Sequence, residues 1–139
     1  MFAKYMILTV VAWLAMPALL LAADLKVEIR STSSKEGSVN IALFDASSQF
    51  PAKPIAARKI SAAERPLVAI FTNLKPGTYA ISAFHDGNAN GVLDKNLLGL
   101  PTEKYGFSRG ARGMMGPPRF DDAAFAVGHD HHAIIIDLR

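Results

Sequence analysis

Apolar and polar residues alternate in several short runs after residue 24, instead of recurring every three or four positions. In the first such run, Leu25, Val27 and Ile29 alternate with charged residues. A period of two places the apolar side chains on one face of a β-strand, and no window after residue 24 shows the 3.6-residue period of an amphipathic helix. The alternation therefore predicts an all-β protein.

Seven segments carry this alternation or a short apolar run of strand length. They are residues 25–30, 38–45, 55–60, 66–73, 78–85, 125–127 and 133–138. We expect the first two to form a hairpin, segment 66–73 to lie centrally because both its faces are apolar, and the last two to pair around a turn. Segment 55–60 fits either an edge strand or one helical turn. About seven short strands at this spacing predict an antiparallel β-sandwich.

The amino-terminal segment differs from the rest of the chain. Twenty of its 23 residues are hydrophobic, and the exceptions are Lys4, Thr9 and Pro17. A basic start, an apolar run and a small-residue end at Ala22 and Ala23 are typical of a secretory signal peptide. The alternative is a retained membrane anchor, for which the run is short and broken by proline. We expect residues 1–23 to be a signal peptide and 24–139 to be a periplasmic or secreted domain without a membrane span.

Composition narrows the possible functions of that domain. Its 116 residues suffice for one hydrophobic core, and the chain has no cysteine. Disulfides, thiolate metal sites and cysteine nucleophiles are therefore excluded. The formal net charge of +3 is too small to indicate a nucleic-acid partner.

One long segment, 86–120, lacks the strand period, and we expect it to be a partly packed loop. Its first nine residues resemble the beginning of a calcium-binding loop. Oxygen-bearing side chains stand at Asp86, Asn88, Asn90 and Asp94, and the Val92 carbonyl occupies the seventh position. The twelfth position holds a leucine instead of a bidentate glutamate, which predicts weak calcium binding. Glu103, Asp121 or Asp122 could complete the ligand shell. The alternative is that these residues only form turns.

A second candidate metal site lies near the carboxyl terminus. His129, His131 and His132 stand close together and could ligate zinc or copper. The alternative is a solvent-exposed turn before the last strand. Met114 and Met115 could serve as soft copper ligands or as packing residues.

The long loop also interleaves aromatic and basic residues. Tyr105, Phe107, Arg109 and Arg112 could contact an anionic or carbohydrate partner. The alternative is that the two aromatic side chains fix the loop to the sandwich.

Catalysis has little support in the sequence. No Gly-x-Ser-x-Gly, phosphate-binding loop or His-Glu-x-x-His motif is present. The adjacent His85 and Asp86, with Arg109, could act in a small hydrolase or lyase, and this remains the catalytic alternative.

The motifs of residues 25–138 resemble a bacterial exported family, DUF2141. They are His85-Asp86-x-Asn88-x-Asn90-Gly91-x-Leu93-Asp94, then Gly99-x-Pro101-x-Glu103-x-Tyr105-Gly106-Phe107-Ser108, then Gly116-Pro117-Pro118-x-Phe120. The preceding run Phe71-x-Asn73-Leu74-x-Pro76-Gly77-x-Tyr79 is similar to carboxypeptidase-regulatory and collagen-adhesin B-type domains. The resemblance implies a transthyretin-like (Ig-like) sandwich and export, and the family has no established activity.

Taken together, these observations predict an exported, non-catalytic binding or accessory module with a weak calcium site at 86–94. Its partner would be a protein or another ligand of the cell envelope.

Overall fold

A computed structural model describes residues 22–139, and the predicted signal peptide lies almost entirely outside them. The described residues form eight β-strands, one short helix and one 3-10 turn. The strands are β1 (Ala23–Arg30), β2 (Ser38–Asp45), β3 (Ala56–Ser61), β4 (Leu67–Leu74), β5 (Gly77–Asp86), β6 (Tyr105–Phe107), β7 (Phe125–Val127) and β8 (His132–Asp137). The 3-10 turn spans Ser108–Gly110, and helix α1 spans Phe120–Ala123. The predicted all-β sandwich is confirmed.

The strands form two sheets. The first has the order β4-β1-β8, and the second has the order β3-β2-β5-β6, with β7 pairing a different part of β5. All neighbouring strands are antiparallel except β1 and β8, which run parallel. Within residues 22–139, no helix is both long enough and apolar enough to cross a membrane.

Apolar side chains from both sheets fill the space between them. Leu25, Val27 and Ile29 of β1, the residues that first indicated a strand, are all buried there. Their alternation with exposed or half-buried neighbours follows the predicted period of two. Burial of one face of each sheet accounts for the sandwich, because each sheet then removes the other's apolar face from water.

A second, smaller apolar cluster covers the outer face of the five-stranded sheet. Phe50 lies at its centre, with ring centroids 5.0 Å from Phe44, 5.7 Å from Phe107 and 5.9 Å from Phe120. The turn that leads to Phe50 begins at Asp45, whose carboxylate accepts hydrogen bonds from Ser47. The Ser47 hydroxyl holds the pKa of the Asp45 carboxyl below its ordinary value.

Three of the predicted strand relationships are wrong. β1 and β2 do not form a hairpin, because the connection between them crosses from one sheet to the other. β4 is an edge strand, and its outward residue Ile70 is 50% exposed. β7 and β8 do not pair with each other, since β7 joins β5 and β8 joins β1. Alternation identifies the buried face of a strand but not its partner, which explains the two pairing errors. Apolar residues on both faces do not by themselves place a strand inside a sheet, as β4 shows.

Two other expectations are refined. Segment 55–60 is an edge strand, β3, and not a helical turn. The long loop is not free of strand structure, because Tyr105–Phe107 forms β6 and pairs with Ser82–Phe84 of β5. Only three residues long, β6 offers too short a run for the period of two to be recognised in the sequence.

β6 closes one corner of the sandwich. The backbone of Tyr105 exchanges two hydrogen bonds with Arg139, at 3.1 and 3.0 Å, which joins the second sheet to the end of the first. Gly106 lies against β8, where a Cβ atom would stand 2.9 Å from the Asp137 carbonyl oxygen and 3.0 Å from Ile136 Cγ2. Glycine at this position therefore allows the two sheets to meet.

We predict that Gly106→Ala lowers the free energy of unfolding by about 1–3 kcal/mol, because the added methyl group forces β6 away from β8. Urea unfolding measures the change. Gly128→Ala is the control, since no atom lies within 4 Å of a Cβ atom at that position. Equal stability of the two variants would contradict the close approach of β6 and β8.

Candidate functional site: the loop root and the apolar tip

The candidate site begins where β5 ends. The last two residues of β5, His85 and Asp86, are 2% and 0% exposed, and their side chains point to opposite faces of the sheet. They pair with Val39 and Ser38 of β2. The end of a well-paired strand thus fixes the start of the long loop.

His85 holds the connection between β1 and β2. Its Nδ1 accepts a hydrogen bond from the Ser33 N–H at 3.2 Å, and its Nε2 lies 2.7 Å from the Glu36 carbonyl oxygen. These partners require a neutral ring with the proton on Nε2, because a carbonyl oxygen only accepts. Both ring nitrogens are therefore engaged by backbone groups, and the buried ring serves to position the connection.

Asp86 organises the loop on the other face. Its Oδ1 accepts from the Asn90 N–H at 3.1 Å, and its Oδ2 accepts from the Gly91 N–H at 2.7 Å and from Asn40 Nδ2 at 3.4 Å. Gly91 has a φ of 82°, a left-handed conformation that glycine adopts without strain. The buried carboxylate thus folds the loop back onto the end of β5.

The predicted ligand residues Asn88, Asn90 and Asp94 are brought together. Asn88 Nδ2 and Asn90 Nδ2 each donate to the Asp94 carboxylate at 2.7 Å. The carboxamide oxygens face the other way, toward the Asn90 and Val92 N–H groups, at 3.2 and 3.1 Å. Rotating each carboxamide by half a turn would point its oxygen, instead of its nitrogen, toward Asp94.

Glu103 closes this arrangement from a distant part of the loop. Its Oε1 accepts from the Gly87 N–H at 3.1 Å, and its Oε2 accepts from the Asp94 N–H at 3.0 Å. We call residues 86–94 together with Glu103 the loop root. Of the three acidic residues proposed to complete a ligand shell, Glu103 adjoins the loop, whereas Asp121 belongs to α1 and pairs with Arg119 at 3.5 Å.

The loop root is rich in oxygen atoms of several kinds. Within residues 22–139, no three His, Cys, Asp or Glu side chains are grouped as they would be around a metal ion. A hard cation such as calcium also accepts carboxamide and backbone carbonyl oxygens as ligands. The Asn residues and the Val92 carbonyl would therefore have to contribute to any calcium shell here.

Beyond the root, residues 96–101 form a compact turn, which we call the apolar tip. Asn96 Oδ1 accepts from the N–H groups of Leu98 and Leu100, at 2.9 and 3.1 Å. The Asn96 backbone N–H also donates to the Leu100 carbonyl oxygen at 2.9 Å. The turn leaves Leu97, Leu98 and Leu100 at 106%, 83% and 58% exposure. These leucines lie in the segment predicted to be a partly packed loop, and three leucines among Asn, Gly and Pro are the sequence signal that marks the tip.

The predicted partner-binding residues lie in different environments. Phe107 is buried in the smaller apolar cluster, and its ring centroid lies 6.0 Å from that of Tyr105. Tyr105 itself is 38% exposed. Arg109 donates to the Ala124 carbonyl oxygen at 3.3 Å, and Arg112 is exposed. Tyr105, Arg109 and Arg112 are thus partly accessible to a partner, while Phe107 fixes the loop to the sheet.

The carboxyl-terminal histidines also serve different local contacts. His132 stacks on Phe125, with ring centroids 5.6 Å apart and an interplanar angle of 9°. His131 Nδ1 accepts from the Asp24 N–H at 3.3 Å. His129 lies in the turn before β8. The three rings do not form a metal-ligand group within the described residues.

Residues 27–135 match the family described as an uncharacterized protein conserved in bacteria, DUF2141. The chain belongs to this family. No curated protein and no solved structure matches the chain. The DUF2141 match extends from β1 to β8, so the loop root and the apolar tip belong to the family's domain.

We predict that Glu103→Ala opens the loop root while leaving the sandwich folded, because it removes the acceptors of the Gly87 and Asp94 N–H groups. Limited proteolysis should cut the Glu103→Ala chain within 87–102 at least about threefold faster than the unaltered chain. This factor corresponds to a fall of roughly 0.7 kcal/mol in the free energy of local opening. Glu64→Ala is the control, because Glu64 is exposed and lies outside the loop. Unchanged cleavage of the Glu103→Ala chain would contradict this role.

Proposed function

We propose that this protein is an exported, non-catalytic binding module with a transthyretin-like sandwich, and that its loop root takes up calcium weakly. The observation that carries the calcium proposal is the packing of the Asn88 and Asn90 carboxamides against the Asp94 carboxylate, at 2.7 Å each, in a loop rich in oxygen atoms. Among residues 22–139, the ion pairs involve Arg30 with Glu28, Arg119 with Asp121 and His131 with Asp24. None of these pairs includes a carboxylate of the loop root, where backbone and carboxamide N–H groups are the donors.

The orientation of the carboxamides supports the same proposal. Without a cation, Asn88 and Asn90 turn their Nδ2 groups to Asp94, which relieves its negative charge. A bound calcium ion would take over that role, and the rotated carboxamides would present oxygens to it. Each rotation gives up one hydrogen bond to a loop N–H, which lowers the net gain and favours weak binding.

Ser38 offers a further oxygen beside Asp86. The two residues face each other across β2 and β5, so their side chains leave the same face of the sheet. The Ser38 hydroxyl is buried and has no hydrogen-bond partner among the described residues. A buried polar group without a partner is costly, and a nearby cation or its water would satisfy it.

A binding role is supported by the difference in exposure between the sandwich and the long loop. The sandwich encloses its own core, whereas the apolar tip and the accessible residues Tyr105, Arg109 and Arg112 remain on the surface. His85 and Asp86 are occupied by structural hydrogen bonds, which favours binding over the hydrolase or lyase alternative. Export rests on the composition of residues 1–23, and β1 begins at Ala23, next to the expected cleavage site.

We predict calcium binding with a dissociation constant of about 10⁻⁴–10⁻³ M, measured by calorimetric titration. Asp94→Asn should weaken binding at least about tenfold, because it removes one of the few carboxylates. Asn88→Asp should tighten it, because it adds a charged ligand without changing the size of the side chain.

Asp121→Asn is the matched control, since Asp121 is exposed, lies in α1 and pairs with Arg119. Its titration should equal that of the unaltered chain. Absence of binding by the unaltered chain at about 10 mM calcium, tenfold above the weakest expected constant, would disprove the calcium site.

A further inference from the structure

We propose that the apolar tip docks this protein onto a lipid bilayer, with Leu97 and Leu98 entering the apolar layer and Lys95 facing anionic head groups. This inference rests on the proposed binding function and names its partner. The first observation is exposure: Leu97 and Leu98 are more than four-fifths exposed, and they adjoin each other at the end of a projecting turn. Adjacent exposed apolar side chains mark an interaction surface.

The exposure is built into the backbone. Asn96 fixes the turn through its side chain and backbone, and Gly99 adopts a φ of 77°. At the base of the tip, Thr102 donates from its N–H and its hydroxyl to the Asp94 carbonyl oxygen, at 2.8 and 3.1 Å. The leucines therefore project from a hydrogen-bonded turn, and a preorganised turn loses little conformational entropy on docking.

The charged side chain within residues 95–101, Lys95, suits an anionic lipid surface. Lys95 precedes the tip and is exposed. The acidic neighbours Asp94 and Glu103 direct their carboxylates to carboxamide and N–H groups of the loop root. The tip thus presents apolar and cationic groups, the combination that binds bilayers containing anionic lipids.

A second turn in the same long loop has the same chemistry. Met114 and Met115 are fully exposed, and Arg112 and Arg119 flank them. The turn is tight because Gly113 lies so close to the backbone of Gly116 that a Cβ atom would overlap its carbonyl oxygen. The long loop therefore exposes apolar side chains beside basic ones at two of its turns.

The size and shape of the tip favour lipid over a protein partner or a second copy. Burying one leucine removes on the order of 100 Å² of apolar surface from water, so three leucines supply roughly 300 Å². A specific protein interface buries about 800 Å² on each partner. A small convex tip falls short of that area, whereas insertion into a bilayer needs no complementary surface.

We predict that the chain from Ala22 onward, which contains every described strand and both apolar clusters, sediments with vesicles of phosphatidylethanolamine and phosphatidylglycerol at about 3:1. Removing residues 1–21 excludes vesicle binding by this apolar amino-terminal segment itself. The double variant Leu97→Ser/Leu98→Ser should lower the partition coefficient at least about tenfold, because two leucines lose their apolar contact. Both chains should unfold at the same temperature.

The matched control is Ile70→Ser/Ile135→Ser, which removes two apolar residues, each 50% exposed, from the outer face of the three-stranded sheet. Its vesicle binding should be unchanged. A Leu98→Trp chain adds a direct readout. The single tryptophan of the sequence, Trp13, lies in the removed segment 1–21, so the new side chain is the only tryptophan of the tested chain. Its fluorescence should shift to shorter wavelength on adding vesicles.

Sedimentation of the control but not of the Leu97→Ser/Leu98→Ser chain would support the tip. Failure of the unaltered chain to sediment, equal sedimentation of the tip variant, or tip-dependent dimerisation without vesicle binding would overturn it. Parallel measurements in calcium and in EDTA separate this inference from the calcium site. Vesicle binding that is equal in calcium and in EDTA supports lipid docking independently of the calcium site. Calcium binding without vesicle binding overturns lipid docking and leaves the calcium site standing.

Discussion

The buried carboxylate of Asp86 is the interaction on which the arrangement of the long loop depends. A fully buried charge without a cation is costly unless hydrogen-bond donors surround it. Here the donors are the N–H groups of Asn90 and Gly91, with the Asn40 carboxamide more distant. The loop must therefore turn back at 90–91, and this turn places Asp94 beside Asn88. On the opposite face of the same strand end, His85 holds the β1–β2 connection in the same way.

The sequence predicted the strands better than their partners. Period-two alternation depends on which face of a strand is buried, so β1, β2, β4 and β5 were located from their apolar residues alone. Pairing depends on contacts between distant segments, such as β1 with β8, and alternation carries no information about them. The sequence pattern does not predict β6, for a related reason. Its three residues adopt the strand conformation because they pair with β5 and Arg139, not because of their own pattern.

The loop root was largely predictable because its residues act locally. Short oxygen-bearing side chains at alternate positions, with glycine at the sixth, favour a loop that curls around its own centre. Glu103 was one of three acidic candidates, and sequence spacing could not select it, because its place depends on β6 bringing residues 103–105 back to β5. The apolar tip was missed because leucines in a loop suggest packing. The exposure of Leu97, Leu98 and Leu100 shows that the turn faces away from the sandwich.

Root and tip are joined through a single residue. The Asp94 carboxylate accepts from both root asparagines, while its carbonyl oxygen accepts twice from Thr102 at the base of the tip. A cation at the root would replace the carboxamide partners of the carboxylate without competing for the carbonyl oxygen. The tip can therefore keep its shape with and without the ion, which is why lipid docking and calcium binding are expected to be independent properties of the loop.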